Sequence, residues 1–403
     1  MSPDNNDIYS RSDRRVNHTS FNSHTPQNNN QKKRRKQKKK MLIKKASAVA
    51  CILAMLVGTV AVLSCFGVFS GKNDSIVNAE NSNTSSNSKS VAETVVSDVS
   101  SEPPKPQKPV YLTDASFNTN LKKISSEEIK KLDEKITSEF VVLYDASTDE
   151  ILYQKNGSKK CYPASTTKLL TAIVSSAIIK PETKITVGKE IELIGEDSST
   201  AGLQVGDKLT FEALIDALLL PSGNDAAYTI AVNTARIYKN DDKLSDKEAV
   251  SVFMELVNDA AKQLNATGTH FVTPDGWHDD NHYTNAQDLA KIAAYARTVP
   301  LIKKSVSKPY AKWKLLNGGN VEWYNSNQLL LSSSGLYSKY VDGMKTGFTD
   351  EAGSSVVASA TMNNHTLIAV VMNGQTLYTK YDDANTLFKT GFKFYGFDYT
   401  YGD

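Results

Sequence analysis

Residues 163–170 read Pro-Ala-Ser-Thr-Thr-Lys-Leu-Leu and place a Ser-x-x-Lys motif at the start of a predicted helix. Pro163 has no backbone N–H and is well tolerated just before a helix, and apolar residues recur at helical spacing from Leu169 onward. Side chains three positions apart on a helix are neighbours, so we expect the Lys168 amine beside the Ser165 hydroxyl. A serine becomes nucleophilic when an adjacent base takes its proton, and a lysine with a lowered pKa can be that base.

Two shorter motifs follow Ser165 along the chain. Residues 222–224 read Ser-Gly-Asn, directly after Pro221 at the end of a predicted helix, and residues 345–347 read Lys-Thr-Gly in a predicted strand. Taken singly, a capping serine, a tight turn and a strand lysine would explain these motifs without any chemistry. Taken in this order, Ser-x-x-Lys, Ser-x-Asn and Lys-Thr-Gly resemble the three-part signature of the penicillin-recognising serine enzymes.

The hydrophobic pattern divides the chain from residue 111 onward into helices and strands. Helical patterns lie at 125–136, 165–177, 211–220, 225–238, 246–265, 285–296 and 381–395. β-prone runs lie at 140–144, 151–153, 185–187, 203–209, 344–348, 354–361 and 366–373. Strands on both sides of a helical middle predict an α/β fold, with one five-stranded antiparallel sheet flanked by helices and a helical lobe beside it.

Residues 111–403 resemble a low-molecular-mass penicillin-binding protein of the serine-type D-alanyl-D-alanine carboxypeptidase family. Beyond the three motifs, the similarity includes residues 202–207, 265–271, 283–290 and 345–353. The resemblance implies a β-lactamase/transpeptidase-like fold without a cofactor or metal. It also implies a peptidoglycan stem peptide ending in D-Ala-D-Ala as substrate, and β-lactam antibiotics as covalent inhibitors.

Carried onto this sequence, the resemblance assigns the first half of a catalytic mechanism. Ser165 would be the acylated nucleophile and Lys168 its base. Ser222 would pass protons between the lysine and the leaving group, and Asn224 would hold the substrate amide or fix Lys168.

The third motif would bind the substrate. Lys345 supplies a cation and Thr346 a hydroxyl for the terminal carboxylate of the peptide, and Gly347 leaves room for the substrate backbone along the strand edge. The backbone N–H groups of Ser165 and Phe348 would form the oxyanion hole.

Three departures from the family pattern stand out. Phe348 occupies a position where relatives often have histidine, and residues 273–277, Thr-Pro-Asp-Gly-Trp, replace a more usual Asn-Pro-x-Gly-Leu. Only 56 residues follow Gly347, so we expect the C-terminal β-domain and amphipathic tail of many relatives to be missing.

The charge of the chain is concentrated at its N-terminus. Residues 1–45 carry 13 Lys and Arg against 3 Asp, a net charge of +10. The whole chain has a net charge of +3, so residues 46–403 together carry −7. The basic run at 32–40 is compatible with nucleic-acid binding, but residues 46–69 follow as 24 uncharged residues, enough for a transmembrane helix. We therefore predict a disordered cytoplasmic tail at 1–45, a membrane anchor at 46–69 and no nucleic-acid partner.

Residues 70–110 are rich in Ser, Asn and then Pro, and predict an extracellular linker to a catalytic domain at 111–403 outside the cell. Cleavage near Cys65 or Ala79 is the competing interpretation. A 45-residue leader is too long for an ordinary signal peptide, which favours an uncleaved anchor.

Other chemistry-bearing residues receive no functional prediction. Cys161 is the one cysteine after residue 70, which excludes an internal disulfide there and indicates core packing. His278 and His282, with acidic residues between them, could suggest a metal site. They lack the helical His-Glu-x-x-His spacing, and we expect them on the surface.

Three alternative functions share these motifs. A class A β-lactamase would need a water-activating glutamate, and no Glu-x-x-Leu-Asn lies between the second and third motifs. A penicillin sensor would need a cytoplasmic signalling domain, for which residues 1–45 are too short. A D,D-endopeptidase stays open beside the preferred prediction, a membrane-anchored carboxypeptidase that removes the terminal D-Ala through an acyl-enzyme on Ser165 and so limits cell-wall cross-linking.

Overall fold

A central mixed sheet organises the computed structural model, which describes residues 107–111, 118–121 and 124–402. The strands are β1 (Asn118–Leu121), β2 (Phe140–Asp145), β3 (Glu150–Lys155), β4 (Lys184–Thr186), β5 (Lys208–Thr210), β6 (Tyr310–Lys314), β7 (Asn320–Tyr324), β8 (Val341–Thr349), β9 (Gly353–Met362) and β10 (His365–Gly374). The helices are α1 (Ser126–Lys135), α2 (Lys168–Ser176), α3 (Phe211–Leu219), α4 (Asn224–Lys239), α5 (Asp246–Gln263), α6 (Ala286–Thr298), α7 (Pro300–Val306) and α8 (Thr379–Phe394).

The predicted five-stranded antiparallel sheet is confirmed, and one strand is added to it. The strand order is β1-β3-β2-β10-β9-β8, and every pairing is antiparallel except that of β1 with β3. The prediction therefore missed β1, a short parallel strand at the edge. It also missed α7 and the β6–β7 hairpin, and it made β5 too long, because residues 203–207 form a turn.

Alternate side chains of the sheet enter two separate cores. Val142 of β2 and Val370 of β10 belong to the core of the helical lobe, whereas Val141 and Val371 pack with α1 and α8 on the other face. This two-faced burial follows from the two-residue period of a strand. It explains why the strands read as continuous apolar runs in the sequence.

Helix α2 lies at the centre of the helical lobe. Its residues from Lys168 to Ser175 are all buried, and it packs against α4, α5 and α6. A helix with apolar residues around most of its circumference is stable only when it is enclosed. The enclosure fixes the position of the Ser-x-x-Lys motif at its N-terminal end.

The end of the predicted linker contacts this lobe. The backbone N–H of Tyr111 donates to Gln263 Oε1 at 3.0 Å, and Gln263 Nε2 donates to the carbonyl oxygen of Pro109 at 3.3 Å. Lys108 forms an ion pair with Asp259. The chain therefore enters the lobe along α5.

The predicted membrane anchor, 46–69, lies outside the described residues. Across the described ranges, no helix combines the length and apolar character needed to cross a bilayer.

Candidate active site

The sequence turns sharply to present Ser165. Residues Ala164–Thr167 form a 3₁₀ turn that runs into α2, and Ser165 is half-buried within it. Its side chain caps neither the turn nor the helix. Ala164 has φ of 47°, a left-handed conformation that is uncommon for a non-glycine residue and is maintained by the surrounding packing.

Lys168 is fully buried and makes three hydrogen bonds. Its Nζ lies 2.8 Å from each of three acceptors: Ser165 Oγ, Asn224 Oδ1 and the carbonyl oxygen of Asp275. These are as many acceptors as an ammonium group has protons. Desolvation lowers the pKa of Lys168 to about 8, although the charges of Asp275 and Asp225 oppose the shift. A neutral amine is thus accessible near neutral pH.

The Ser-x-Asn motif contributes its asparagine directly. Asn224 is the first residue of α4, and its Nδ2 donates to Ser198 Oγ at 3.1 Å while its Oδ1 faces Lys168. Ser222 is buried with φ of 68°, and its hydroxyl forms no hydrogen bond within the described part of the chain. The structure therefore joins Asn224 to the Ser165–Lys168 pair and leaves the Ser222 hydroxyl available.

Strand β8 packs against the turn that carries Ser165. A Cβ added to Gly347 would lie 3.0 Å from the carbonyl oxygen of Pro163 and 3.3 Å from the nitrogen of Ser165. A larger residue would push the strand away from the turn. The next residue, Phe348, is 55% exposed and borders the cleft.

Two buried lysines lie at and near the Lys-Thr-Gly motif. Lys345 Nζ donates to the carbonyl oxygen of Thr346 at 3.0 Å, and Thr346 Oγ1 lies 2.7 Å from Ser326 Oγ. Burial, with the charges of Lys168 and Lys380 nearby, holds the pKa of Lys345 well below its usual value. Burial also lowers the pKa of Lys380 to about 8. Sequence analysis missed Lys380, since a lone lysine in a terminal helix carries no motif.

The segment 271–277 passes directly beneath the Ser165 turn. Thr171 Oγ1 donates to the carbonyl oxygen of Pro274 at 2.6 Å. Gly276 has φ of +86°, and an added Cβ would lie 1.9 Å from the carbonyl oxygen of Ala164, so only glycine fits. This contact fixes the carbonyl group of Asp275 against Lys168.

The surface prediction for His282 is wrong. Its side chain is buried, stacks on Phe271 with ring centroids 4.7 Å apart, and its Nε2 lies 2.8 Å from Thr167 Oγ1. Its Nδ1 accepts the backbone N–H groups of Val272 at 3.1 Å and Thr273 at 3.3 Å, so Nε2 carries the proton. Desolvation lowers its pKa to about 3. Loop residues have no hydrophobic periodicity, so the sequence pattern could not predict that His282 is buried.

Two other predictions concern residues near the cleft. His278 is half-buried and stands edge-on to Tyr162, with ring centroids 4.7 Å apart. Cys161 is buried, as predicted for core packing, and desolvation raises its pKa to about 12. Within residues 107–111, 118–121 and 124–402, no cluster of His, Cys, Asp and Glu is placed to hold a metal ion.

Replacing His282 with Phe should keep the stacking and remove every hydrogen bond. With buried N–H groups and a hydroxyl left unpaired, we expect the free energy of unfolding at pH 7.5 to fall by about 2–4 kcal/mol. Urea denaturation measures it, with His278→Phe as the control. Below pH 6.5 His282 is protonated in the unfolded wild type but stays neutral in the folded protein. The difference in free energy of unfolding between the wild type and His282→Phe should therefore shrink as the pH falls below 6.5. A difference in free energy of unfolding that does not change with pH would contradict a buried neutral imidazole.

The comparisons with known proteins agree with this geometry. A family model described as D-alanyl-D-alanine carboxypeptidase matches residues 125–376. Curated relatives include the D-alanyl-D-alanine carboxypeptidase DacC of Escherichia coli (strain K12), 31% identical over 266 residues, 63% of this chain and 61% of the relative. The D-alanyl-D-alanine carboxypeptidase of Streptomyces sp. (strain K15) is 31% identical over 61% of this chain and 84% of its own length.

Solved structures point to the same fold. The crystal structure of the Streptomyces K15 DD-transpeptidase aligns with a TM-score of 0.59 at 30% identity, covering 64% of this chain and 98% of that chain. The match spans about three fifths of the length of the E. coli and Haemophilus influenzae relatives. Since the family model covers more than half of the sequence, the chain belongs to the D-alanyl-D-alanine carboxypeptidase family of low-molecular-mass penicillin-binding proteins.

Proposed function

We propose that this protein is a membrane-anchored serine D,D-carboxypeptidase that removes the terminal D-Ala from peptidoglycan stem pentapeptides. The observation that carries the proposal is the 2.8 Å contact between Ser165 Oγ and the fully buried Lys168 Nζ. The similarity to D-alanyl-D-alanine carboxypeptidases of Escherichia coli and Streptomyces supports the choice of substrate. β-Lactam antibiotics would acylate the same serine.

Acylation begins from the neutral form of Lys168. Two of its N–H bonds then donate to Asn224 Oδ1 and to the Asp275 carbonyl oxygen, which turns the lone pair toward Ser165 Oγ. The lysine takes the hydroxyl proton as the oxygen attacks the carbonyl carbon of the penultimate D-Ala. The proton then passes to the departing amine, with the free Ser222 hydroxyl as the relay.

The negative charge that develops on the carbonyl oxygen needs donors. The backbone N–H groups of Ser165 and Phe348 fill this role, on the turn and strand that meet at Gly347. In comparable sites one such donor contributes about 3–4 kcal/mol to transition-state stabilisation.

Recognition of the chain end comes from the cationic part of the cleft. Lys345 and the Thr346 hydroxyl bind the terminal carboxylate, and the charge of Lys380 adds to the attraction. Lys345 and Lys380 are buried, and no carboxylate of the described residues acts on the pKa of either amine, which favours an anionic ligand. This arrangement favours cleavage of an amide that lies beside a free carboxylate, as at the end of a D-Ala-D-Ala peptide.

Penicillin should form one covalent adduct, on Ser165, and a muramyl pentapeptide should release free D-alanine. Mass spectrometry of the intact protein and of the products measures both. Ser165→Ala should lose the adduct and the product, whereas Ser158→Ala, at an exposed turn, should keep both. An adduct that persists in Ser165→Ala would disprove the assignment of the nucleophile.

Lys345→Met should reduce kcat/KM for a peptide ending in free D-Ala by about 10- to 100-fold, because a charge-assisted hydrogen bond to the carboxylate is lost. The same peptide with a C-terminal amide should lose much less activity. Lys339→Met, at an exposed position just before β8, is the control. Equal losses for the acid and the amide would exclude carboxylate recognition by Lys345.

The anchor at 46–69 places the active site outside the cell in this proposal. The basic run before it and the proline-rich linker after it support this orientation. Protease added to intact protoplasts should remove the domain that begins near residue 107 and leave the basic tail protected. Recovery of a mature chain starting at Cys65 or Glu80 would show cleavage instead of anchoring.

A further inference from the structure

The segment that departs from the family pattern, 273–277, contains a carboxylate that the acylation step does not use. We propose that the Asp275 carboxylate accepts the proton of the water that hydrolyses the acyl-enzyme. This inference rests on the proposed function, since it concerns the second half of the same reaction. It gives Asp275 two roles, one for its carbonyl oxygen and one for its side chain.

Asp275 is in direct contact with both reacting side chains. Its carbonyl oxygen lies 2.8 Å from Lys168 Nζ and 3.5 Å from Ser165 Oγ. Covalent geometry keeps the carboxylate oxygens of an aspartate within about 5 Å of its own carbonyl oxygen. The contacts of Pro274 with Thr171 and of Gly276 with Ala164 fix the residue on both sides. The residue is therefore held in place beside both reacting side chains.

One oxygen of this carboxylate is free to accept a proton. Asp275 is 1% exposed, and its Oδ1 accepts the backbone N–H of Trp277 at 3.0 Å. Its Oδ2 is buried and has no hydrogen-bond partner among the described residues. A buried carboxylate oxygen without a donor destabilises the folded state, and such groups are found where they serve a function.

Asp225 shows what a purely structural carboxylate looks like in the same cleft. Its charge also acts on Lys168, and it is 2% exposed. Both of its oxygens are occupied, because Oδ1 accepts the N–H groups of Ala201 and Ala226 and Oδ2 accepts that of Leu203. Of the two carboxylates that act on Lys168, only Asp275 has an oxygen without a hydrogen-bond donor among the described residues.

The proposed step conserves atoms and charge. The water oxygen bonds to the acyl carbon while one of its protons moves to Asp275, and the carbonyl electrons shift onto the carbonyl oxygen. On collapse, the bond between the acyl carbon and Ser165 Oγ breaks and its electron pair stays on Oγ. The proton on Asp275 passes to neutral Lys168, and the resulting ammonium group gives a proton to Oγ. The product leaves as a carboxylic acid, which ionises in solution.

The test separates the two half-reactions of the full-length protein. A depsipeptide ending in D-Ala-D-lactate acylates readily, so the burst amplitude reports acylation and the steady-state rate reports hydrolysis. Asp275→Asn keeps a side-chain oxygen that can accept the backbone N–H of Trp277, and it removes the carboxylate that would act as the base. Asp279→Asn is the matched control, because Asp279 makes the same type of turn, to the N–H of Asn281 at 2.7 Å, on an exposed loop.

Asp275→Asn should keep the burst and lower the steady-state rate at least about 100-fold, the usual contribution of a general base. Hydroxylamine attacks esters without prior deprotonation and should release the acyl group from the variant as fast as from the wild type. Asp279→Asn should match the wild type throughout. Asp275→Ser, which can still accept from the Trp277 N–H, should repeat the behaviour of Asp275→Asn.

Two results would overturn the proposal: a wild-type steady-state rate in Asp275→Asn, or an equal slowing of release by water and by hydroxylamine. Loss of the burst in both variants at position 275 would also overturn it, because the side chain would then act in acylation. A wild-type protein that shows no burst and no penicillin adduct would refute the proposed function instead.

Discussion

The structure depends on the burial of one amine. Lys168 is excluded from solvent at the start of α2, and its three hydrogen-bond acceptors come from three separate parts of the chain: the Ser165 turn, the start of α4 and the segment below the turn. An amine in this position is tolerable only if all three parts are in place. The assembly of the helical lobe is therefore also the assembly of the site.

The sheet supplies the opposite wall of the cleft. Strand β8 lies at its edge, so one side of the strand pairs with β9 and the other faces the Ser165 turn. Gly347 and Gly276 both approach that turn closely, one from the strand and one from the segment below it. The three motifs, which are far apart in the sequence, meet because α2 is enclosed and β8 is an edge strand.

Much of the fold and of the candidate site could be predicted, because the three motifs and the long apolar strands carry strong local signals. The structure confirms five antiparallel strands and the contacts of Lys168 with Ser165 and Asn224. The β6–β7 hairpin was missed because only Ala311 and Trp323 of its residues are buried, so its pattern reads as polar. The membrane anchor stays a prediction.

The environments of single side chains could not be predicted. His282 is buried against Thr167, far from it in sequence, and a loop has no periodicity that reveals such a contact. Lys380 is buried at the start of α8 and belongs to no motif. The sequence did mark 273–277 as unusual, but only the fold shows that Asp275 touches Lys168. Motifs identify residues that act locally, whereas the environment that adjusts their chemistry comes from tertiary contacts.

The central claim is that neutral Lys168 deprotonates Ser165, and the pH dependence of penicillin acylation tests it most directly. Because only the neutral amine is a base, the second-order rate constant of acylation should rise about tenfold per pH unit below pH 8. It should level off above the pKa of about 8 that burial gives Lys168. Stopped-flow measurements between pH 5.5 and 9.5 would show this profile, with free lysine pKa near 10.4 as the reference for an unburied amine. A rate constant that is flat across this range, or that falls as pH rises, would contradict the account.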